Sequence, residues 1–335
     1  MPGGIRALRK IQMARNADSD SGAAIDATSI WRGTGTIEDT RNLYFVAEDV
    51  GLLTGSDRTN TSMLGGNLSL DAVEATYEQF PHLLEMSVKA ATPAADSDEG
   101  TIYIYTYALP TTSANTLRDY TFQGGDNQQA EILDFVHCKD WTLSGEGGGA
   151  WMMSANLFGR QVVNGSFTGA LTLPTVHNMN FSKTKLYIDA DSDSWGTTIK
   201  SNTLLKASIK YNANLEQKAT ADGNLYYSWV QTPAPDITVT LTFEHDATSV
   251  LQKTAWRVET PKLIRLINEG TAFAVAGVYT YRTAIFDFAG KWLSFGKIGE
   301  QNGNDILEGV FQVRYNATQA SAGNIVIVNS LSTLP

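Results

Sequence analysis

The chain reads as a mainly β protein of two tandem modules, each with one flanking helix and one long loop. Three observations carry this reading. The first is a sustained two-residue alternation within 120–163. Phe135, His137, Lys139, Trp141 and Leu143 share one parity, and Val136, Cys138, Asp140, Thr142 and Ser144 share the other. Trp151, Met153, Ala155 and Leu157 then alternate with Met152, Ser154, Asn156 and Phe158. Successive strand side chains point to opposite faces, so the odd positions form a buried, aromatic-rich face and the even ones a mostly polar face. Gly145-Glu146-Gly147-Gly148-Gly149 between the runs supplies residues free to take positive φ, as a hairpin reversal requires.

The second observation is a pair of β-branched and aromatic runs, TIYIYTYAL from Thr101 to Leu109 and ITVTLTF from Ile237 to Phe243. The third is an internal repeat. Gly125 to Val136, GDNQQAEILDFV, returns as Gly299 to Val310, GEQNGNDILEGV. Gly125, Asp126, Glu131 and Asp134 thereby fall on Gly299, Glu300, Asp305 and Glu308. At the same offset Trp141 falls on Tyr315, Trp151 on Ile325, Met153 on Ile327 and Leu157 on Leu331. Upstream, Pro81-His82-Leu83-Leu84-Glu85-Met86 is similar to Pro261-Lys262-Leu263-Ile264-Arg265-Leu266. Two matches in one order at nearly one separation point to duplication, with modules over 1–175 and 176–335.

Taken in order, residues 1–28 form a basic arm (Arg6, Arg9, Lys10, Arg15) followed by a small acidic patch. A strand is expected over 28–37. Residues 38–63 have no period, and a segment of this length in a compact protein is disordered or functional. Leu43, Tyr44, Phe45, Val46, Leu52 and Leu53 make it too apolar for disorder, so it is expected to pack on a neighbour. Strand alternation resumes over 64–70. Thr76 to Gln79 has capping-box spacing for a helix that presents Tyr77, Phe80, Leu84 and Val88. The 101–109 strand is apolar on both faces, which predicts cover on both sides.

A Thr-, Pro- and Asn-rich connector over 167–181 carries the module boundary. KLYID and LLKASIKY within 183–211 predict a hairpin around an acidic tip, residues 212–235 are irregular, and 237–243 is a strand. A second helix is expected over 250–268, with Pro261 inside it and Gly270 stopping it. Strands over 279–288, 306–315 and 324–331 close the chain.

Composition bounds the function. The 335 residues carry a formal net charge of −10, which argues against a binder of nucleic-acid phosphates. One cysteine, Cys138, excludes an intrachain disulfide framework. The N-terminus lacks an apolar signal core, and no run approaches the roughly 18 apolar residues of a membrane span, so a reduced, cytosolic setting is expected. Sequons at Asn60, Asn67, Asn164, Asn180 and Asn316 then carry no glycosylation meaning.

Motifs that carry chemistry are incomplete. Asp189-Ala190-Asp191-Ser192-Asp193 opens like a calcium loop, but Ser194 stands where glycine is needed and Lys200 where the closing glutamate belongs. An acidic hairpin tip accounts for it. In Glu244-His245-Asp246, Asp246 reads as a helix N-cap. His82, His137, His177 and His245 have no metal-ligand spacing. Gly33-x-Gly35 lacks the rest of a dinucleotide loop, and no nucleophile elbow or phosphate-binding loop occurs. The repeated carboxylates fit a shared wet surface better than a catalytic pair. No catalytic, cofactor or metal residues are assigned, and no cofactor is expected.

Several segments together resemble one family. They are WRGTGTIEDTRNLYFVAEDVGLLTGSDRT, YEQFPHLLEM, GDNQQAEILDF, GEGGGAWMMSANLFGRQV and LTFEHDATSVLQKTAWR. From about Arg9 to the C-terminus the chain is similar to the tail tube (major tail) proteins of long, non-contractile-tailed bacteriophages of the siphovirus type. The resemblance implies β-sandwich or barrel modules, each with a flanking helix, that close into rings with a continuous inner β-barrel and stack helically into a hollow tube. Single-module members build six-membered rings, and two-module members build three-chain rings of pseudo-sixfold symmetry. It implies a virion protein, assembled in the host cytoplasm, that conducts the genome during ejection, with tape measure and tail terminator or tip proteins as partners. DNA would be cargo, and no membrane is involved.

Tyr44, Phe45, Val46, Asp49, Leu52, Leu53 and Arg58 are then the candidate inter-ring or inter-chain residues. Asp140, Thr142 and Asn156 are the candidate lumen-facing ones. The residues agree with this picture, because a duplicated sheet can pair its edges with neighbouring copies and an acidic lining repels phosphates. The alternative is a cell-surface or carbohydrate-binding sandwich, which needs exposed aromatic residues, whereas Trp141 and Trp151 fall on the core parity. Single-module type VI secretion tube proteins share the fold, but the repeat argues against them.

Overall fold

The computed structural model describes residues 3–17, 23–231 and 234–335. The centre of the acidic patch after the N-terminal arm, 18–22, and two residues of the 212–235 segment lie outside the described residues. Strand takes up 49% of the chain against 8% helix, so the protein is mainly β.

The first half runs β1 (Lys10–Arg15), β2 (Ser29–Trp31), β3 (Gly35–Asp39), β4 (Asn42–Phe45), β5 (Thr59–Met63), β6 (Gly66–Glu74), α1 (Phe80–Ser87), β7 (Ala94–Ala95), β8 (Tyr103–Ala108), β9 (Tyr120–Gly125), β10 (Ala130–Glu146), β11 (Met152–Gly159) and β12 (Val162–Gly165). The second runs β13 (Thr184–Ala190), β14 (Ile199–Lys200), β15 (Leu204–Asn212), β16 (Glu216–Lys218), β17 (Trp229–Gln231), β18 (Asp236–Glu244), α2 (Ala247–Arg257), β19 (Lys262–Ala272), β20 (Tyr281–Phe295), β21 (Gly299–Gln301), β22 (Asn304–Val313) and β23 (Gly323–Asn329).

One antiparallel sheet orders β3-β6-β11-β10-β15-β18-β22-β20. Two long strands leave it by bending. The first part of β10 pairs with β9 and β12, and β9 continues through β1 to β2. The first part of β20 pairs with β19 and β23, and β19 continues through β13 to β14. The pairings of 10–165 therefore recur over 184–329. In that recurrence β1, β2, β3, β6, β9, β10, β11 and β12 correspond to β13, β14, β15, β18, β19, β20, β22 and β23. Hairpins β4–β5 and β16–β17 occupy the same place in the two halves. Strand β8 breaks the pattern, since it crosses from the first half to pair with β23. These ladders form no closed circuit, so the eight-stranded sheet has two open edges, β3 and the last part of β20.

This correspondence corrects the register of the internal repeat. The block beginning at Gly125 enters β10, whereas the block beginning at Gly299 enters β22, the counterpart of β11. The ladders instead match Trp141 with Phe295 and Cys138 with Trp292, because the register slips at Lys139 in β10 and at Leu293 in β20. The Pro81 and Pro261 segments also differ, one lying within α1 and the other just before β19. The expected helix over 250–268 ends at Arg257. Glu259 takes φ +55°, and Pro261 disfavours helix in the residue before it and removes a donor. Beyond it Ile264, Leu266 and Asn268 alternate inward against Arg265 and Ile267, which is a strand period.

Other expectations shift for similar reasons. In β10, Phe135 takes φ +49° and the register slips again between Cys138 and Asp140. That bulge turns Lys139 outward and puts Cys138 on the core face beside Trp141, where strict parity assigned Lys139. Parity does hold for Trp141, Leu143, Trp151, Met153, Ala155 and Leu157, all buried. The 28–37 strand divides into β2 and β3. β8 buries Tyr105 and Tyr107 but exposes Thr106, so it is half-covered. Only the short β14 returns along β13 after the acidic tip; the chain then crosses between sheets over 201–203, and β15 pairs with β10 and β18.

Helix α1 is buried at every residue. Thr76 Oγ1 accepts from Gln79 N–H at 3.1 Å, supplying the expected capping contact one turn before the helix. Trp141 packs along the helix from its first residue to its last. Its ring meets Phe80 edge-on with centroids 5.1 Å apart and stacks on Tyr211 at 5.3 Å, and its Nε1 donates to Ser87 Oγ at 3.1 Å. Buried Glu85 pairs with Arg15 and accepts from Tyr120 Oη at 3.2 Å, so its charge is compensated. Burial beside Arg15 keeps His82 neutral, with its pKa lowered to about 3. Helix α2 is shallower, burying Ser249, Gln252 and Ala255, and it starts at the expected Asp246 N-cap in a capping box with Ser249.

Replacing Trp141 by alanine should therefore cost about 3–5 kcal/mol in denaturant unfolding. Lys139→Ala should stay within about 0.5 kcal/mol of the parent. A large loss from Lys139→Ala would put that residue back on the core face.

Candidate functional site

Three surfaces remain once the core is accounted for. They are the polar face of the eight-stranded sheet, its two open edges and hairpin β4–β5.

The polar face contains all three candidate lining residues. Asn156 Nδ2 donates to Asp140 Oδ1 at 2.9 Å, and Thr142 lies between Ser154 and Lys210. The row through Thr142 continues as Lys210, Thr238, Gln312 and Lys291. A second row runs Glu146, Lys206, Thr242, Glu308, with Lys206 Nζ 2.9 Å from Glu146 Oε2. A third runs Asn156, Asp140, Asn212, Asp236. Glu38 and Glu74 extend the face onto β3 and β6. The lysines were missed from the sequence, although the alternation of Lys206, Ser208 and Lys210 against Ala207, Ile209 and Tyr211 contains them.

The repeated motif residues sit in two separate hairpins. Gly125, at φ +151°, closes the β9–β10 turn, where a Cβ would lie 2.1 Å from Gln129 O. Asp126 Oδ1 accepts from Gln128 N–H at 2.8 Å, and Glu300 Oε1 accepts from Gly303 N–H at 2.6 Å, so both carboxylates close turns. Glu131 and Asp305 follow in the outgoing strands. Asp134 is buried and accepts from the Gln161 N–H and Nε2, both at 3.2 Å. Burial raises its pKa against those hydrogen bonds. Glu308 lies on the polar face, and Gly299 begins β21. Only Glu308 of this set joins the surface containing Asp140.

Hairpin β4–β5 carries the candidate contact residues outward. Phe45 is 71% exposed, Leu52 63% and Leu53 fully exposed, with Tyr44 and Asp49 also at the surface. Its geometry is nonetheless fixed. Val46 N–H donates to Arg58 O at 3.1 Å, Asn60 Nδ2 to Tyr44 Oη at 3.0 Å, and Arg58 Nη1 lies 2.6 Å from Glu48 Oε1. Hydrogen bonds from Arg58 and Ser56 hold the Glu48 carboxyl below its ordinary range. Glu48 had no signal in the sequence.

The remaining titratable candidates are engaged structurally. Asp189 Oδ2 accepts from Gly196 N–H at 2.8 Å, while its Oδ1 accepts from Thr197 Oγ1 at 2.7 Å and Thr198 N–H at 2.6 Å. Burial pushes its pKa up, but these hydrogen bonds outweigh burial and leave it lowered. His137 is buried among Phe135 and Phe158, and its pKa falls to about 4. Burial pushes the Cys138 thiol well up. Among the described residues, no group of three or more His, Cys, Asp or Glu side chains could hold a metal ion. Among the described residues, no helix is long and apolar enough to cross a membrane. No protein-family model matches the chain, and no curated protein matches it.

Because the Asp189 carboxylate is stabilised in the fold, its contribution is present above the unfolded pKa of about 3.9 and is lost as pH falls through the lowered folded value. The gap in thermal midpoint between the parent and Asp189→Asn should be constant above about pH 5 and shrink below about pH 4. A gap that widens in acid would contradict the assigned hydrogen bonds.

Proposed function

We propose that this chain is a structural subunit of a hollow tube, the tail tube of a long, non-contractile-tailed bacteriophage, and not an enzyme. The observation that carries the reading is the β10–β15 ladder. It joins the two halves of the eight-stranded sheet within one chain. β15 is the counterpart of β3, and β10 is the counterpart of β20. The open edges, β3 and the last part of β20, are therefore the two sides of the same junction, and another copy can complete it. Such a contact is heterologous, and it closes into a ring when the rotation per chain divides a full turn. The halves, about 1–175 and 176–335, are two fused modules, and three chains give a pseudo-sixfold ring.

In this reading the polar face lines the lumen. Glu38, Glu74, Asp140, Glu146, Asp236 and Glu308 outnumber Lys139, Lys206, Lys210 and Lys291 there, which favours sliding over phosphate capture. DNA is cargo, released through stacked rings. Hairpin β4–β5 contacts a neighbour, and tape measure and terminator or tip proteins meet the tube ends in the virion. Trp141 and Trp151 are buried, which leaves the carbohydrate-binding alternative without that platform.

Electron micrographs of the purified protein should contain rings or tubes, with six lobes from three chains. Along β3, successive N–H groups point alternately to β6 and to the open edge. Of Thr36→Pro and Ile37→Pro, the one on the open side should keep the monomer's melting temperature and abolish tubes. Compact monomers at every concentration, or rings of six whole chains, would sink the proposal.

A further inference from the structure

Hairpin β16–β17 is seated on the first half of its own chain. Tyr227, just before β17, donates through Oη to Phe135 O at 2.9 Å, and its ring lies 5.8 Å from Phe135 and 5.9 Å from Phe158. Arg160, just after β11, secures the seat. Its Nε donates to Tyr227 O at 3.1 Å and its Nη2 to Ser228 O at 2.7 Å, with the guanidinium 3.6 Å over the Phe135 ring. The site lies where β10 bends, and the Arg160 N–H donates to Asp134 O at 3.0 Å.

The arginine and the bend of this seat recur in the second half with the occupant missing, while Phe135 and Phe158 give way to Ala289 and Gln312. Arg314 follows β22 as Arg160 follows β11, and its N–H donates to Ala289 O at the bend of β20, at 2.8 Å. Beside it runs a groove of about 310 Å³ lined by Pro261, Trp292, Leu293, Gln312, Arg314 and Tyr315. Leu293 and Tyr315 are more than half exposed. The Arg314 guanidinium has no partner among the described residues. The counterpart of the seated hairpin is β4–β5, which exposes Leu43, Tyr44 and Phe45. β3 and β20 stand at opposite ends of the eight-stranded sheet. Seven strand spacings, roughly 34 Å along the sheet, separate β4–β5 from the groove in its own chain.

We infer that the Arg314 groove is the docking site for hairpin β4–β5 of a second copy of this chain. The Arg314 fork takes backbone carbonyls of the residues that enter β5, as Arg160 takes those that enter β17, and the exposed apolar side chains of the hairpin cover Leu293 and Tyr315. This rests on the edge-pairing reading above and adds the receiving surface and its anchor.

The test uses full-length Phe45→Cys and Leu293→Cys chains, mixed and treated with a short bismaleimide, while Cys138 stays buried. Cross-linked pairs should form several-fold more in the mixture than in either variant alone. Placing Arg314→Glu in the Leu293→Cys chain should suppress them, and Arg314→Lys should restore them in part, since lysine keeps the charge but loses the fork. Tubes in micrographs without the cross-link would overturn this docking site and leave the tube reading intact. Absence of both tubes and cross-link would remove the two together. A cross-link insensitive to Arg314→Glu would remove Arg314 as the anchor and overturn the inference.

Discussion

Backbone N–H and C=O groups of a strand must be paired on both sides or left to solvent, and this requirement falls hardest on β10 and β20. Each belongs to two sheets. The first part of each strand is bounded on both sides within its own half, by β9 and β12 or by β19 and β23. The last part enters the eight-stranded sheet, where the strands differ. β10 lies between β11 and β15, whereas β20 has β22 on one side only. On the open side Trp256 Nε1 donates to Leu293 O at 3.2 Å, so one edge carbonyl is already occupied. The difference between a satisfied and an open ladder sets which surfaces are available to another chain.

The same asymmetry shapes the helices. α1 is enclosed on all sides, with Trp141 stacked on Tyr211 of β15 and the Tyr211 hydroxyl bonded to Ser87 O at 3.1 Å. The second half thus contributes directly to the cover of the first half's helix. Phe295 occupies the corresponding position near α2, and Trp292 beside it donates to Gln252 Oε1 at 3.3 Å, yet among the described residues no following strand pairs beside this part of β20. α2 accordingly remains half-exposed. Strand β8 adds a second dependence between the halves, since its residues complete the ladder of β23 near the C-terminus. Each half is therefore incomplete without the other.

Charge on the polar face is mixed as well as acidic. Lysines alternate along β15 and stand in rows with threonine, serine and glutamine. Such rows hold water and ions without a concentrated field of either sign, and the Lys206–Glu146 pair is exposed enough to be weak. The carboxylates that matter to the fold lie elsewhere, as turn closures at Asp126 and Glu300, as the acceptor at the Asp189 tip, and as the buried partner of Arg15.

The sequence by itself determined the elements whose burial follows a local period. Trp151, Met153, Ala155 and Leu157, the 237–243 strand, the Asp246 cap and the acidic tip were legible because each depends on neighbours a few residues away. The polar side of that period also placed Asp140, Thr142 and Asn156 on one face. Tertiary structure decided the rest. An inserted residue at Lys139 reverses parity without any local mark, and the positive φ of Phe135 belongs to a bend imposed by two sheets. KLIRLIN fits a helix or a strand by composition, and pairing with β13 and β20 made it a strand. The internal repeat was visible, but short similar blocks allow more than one register. Only the ladders, which join residues far apart in sequence, fix β10 against β20 and leave β3 and the end of β20 open.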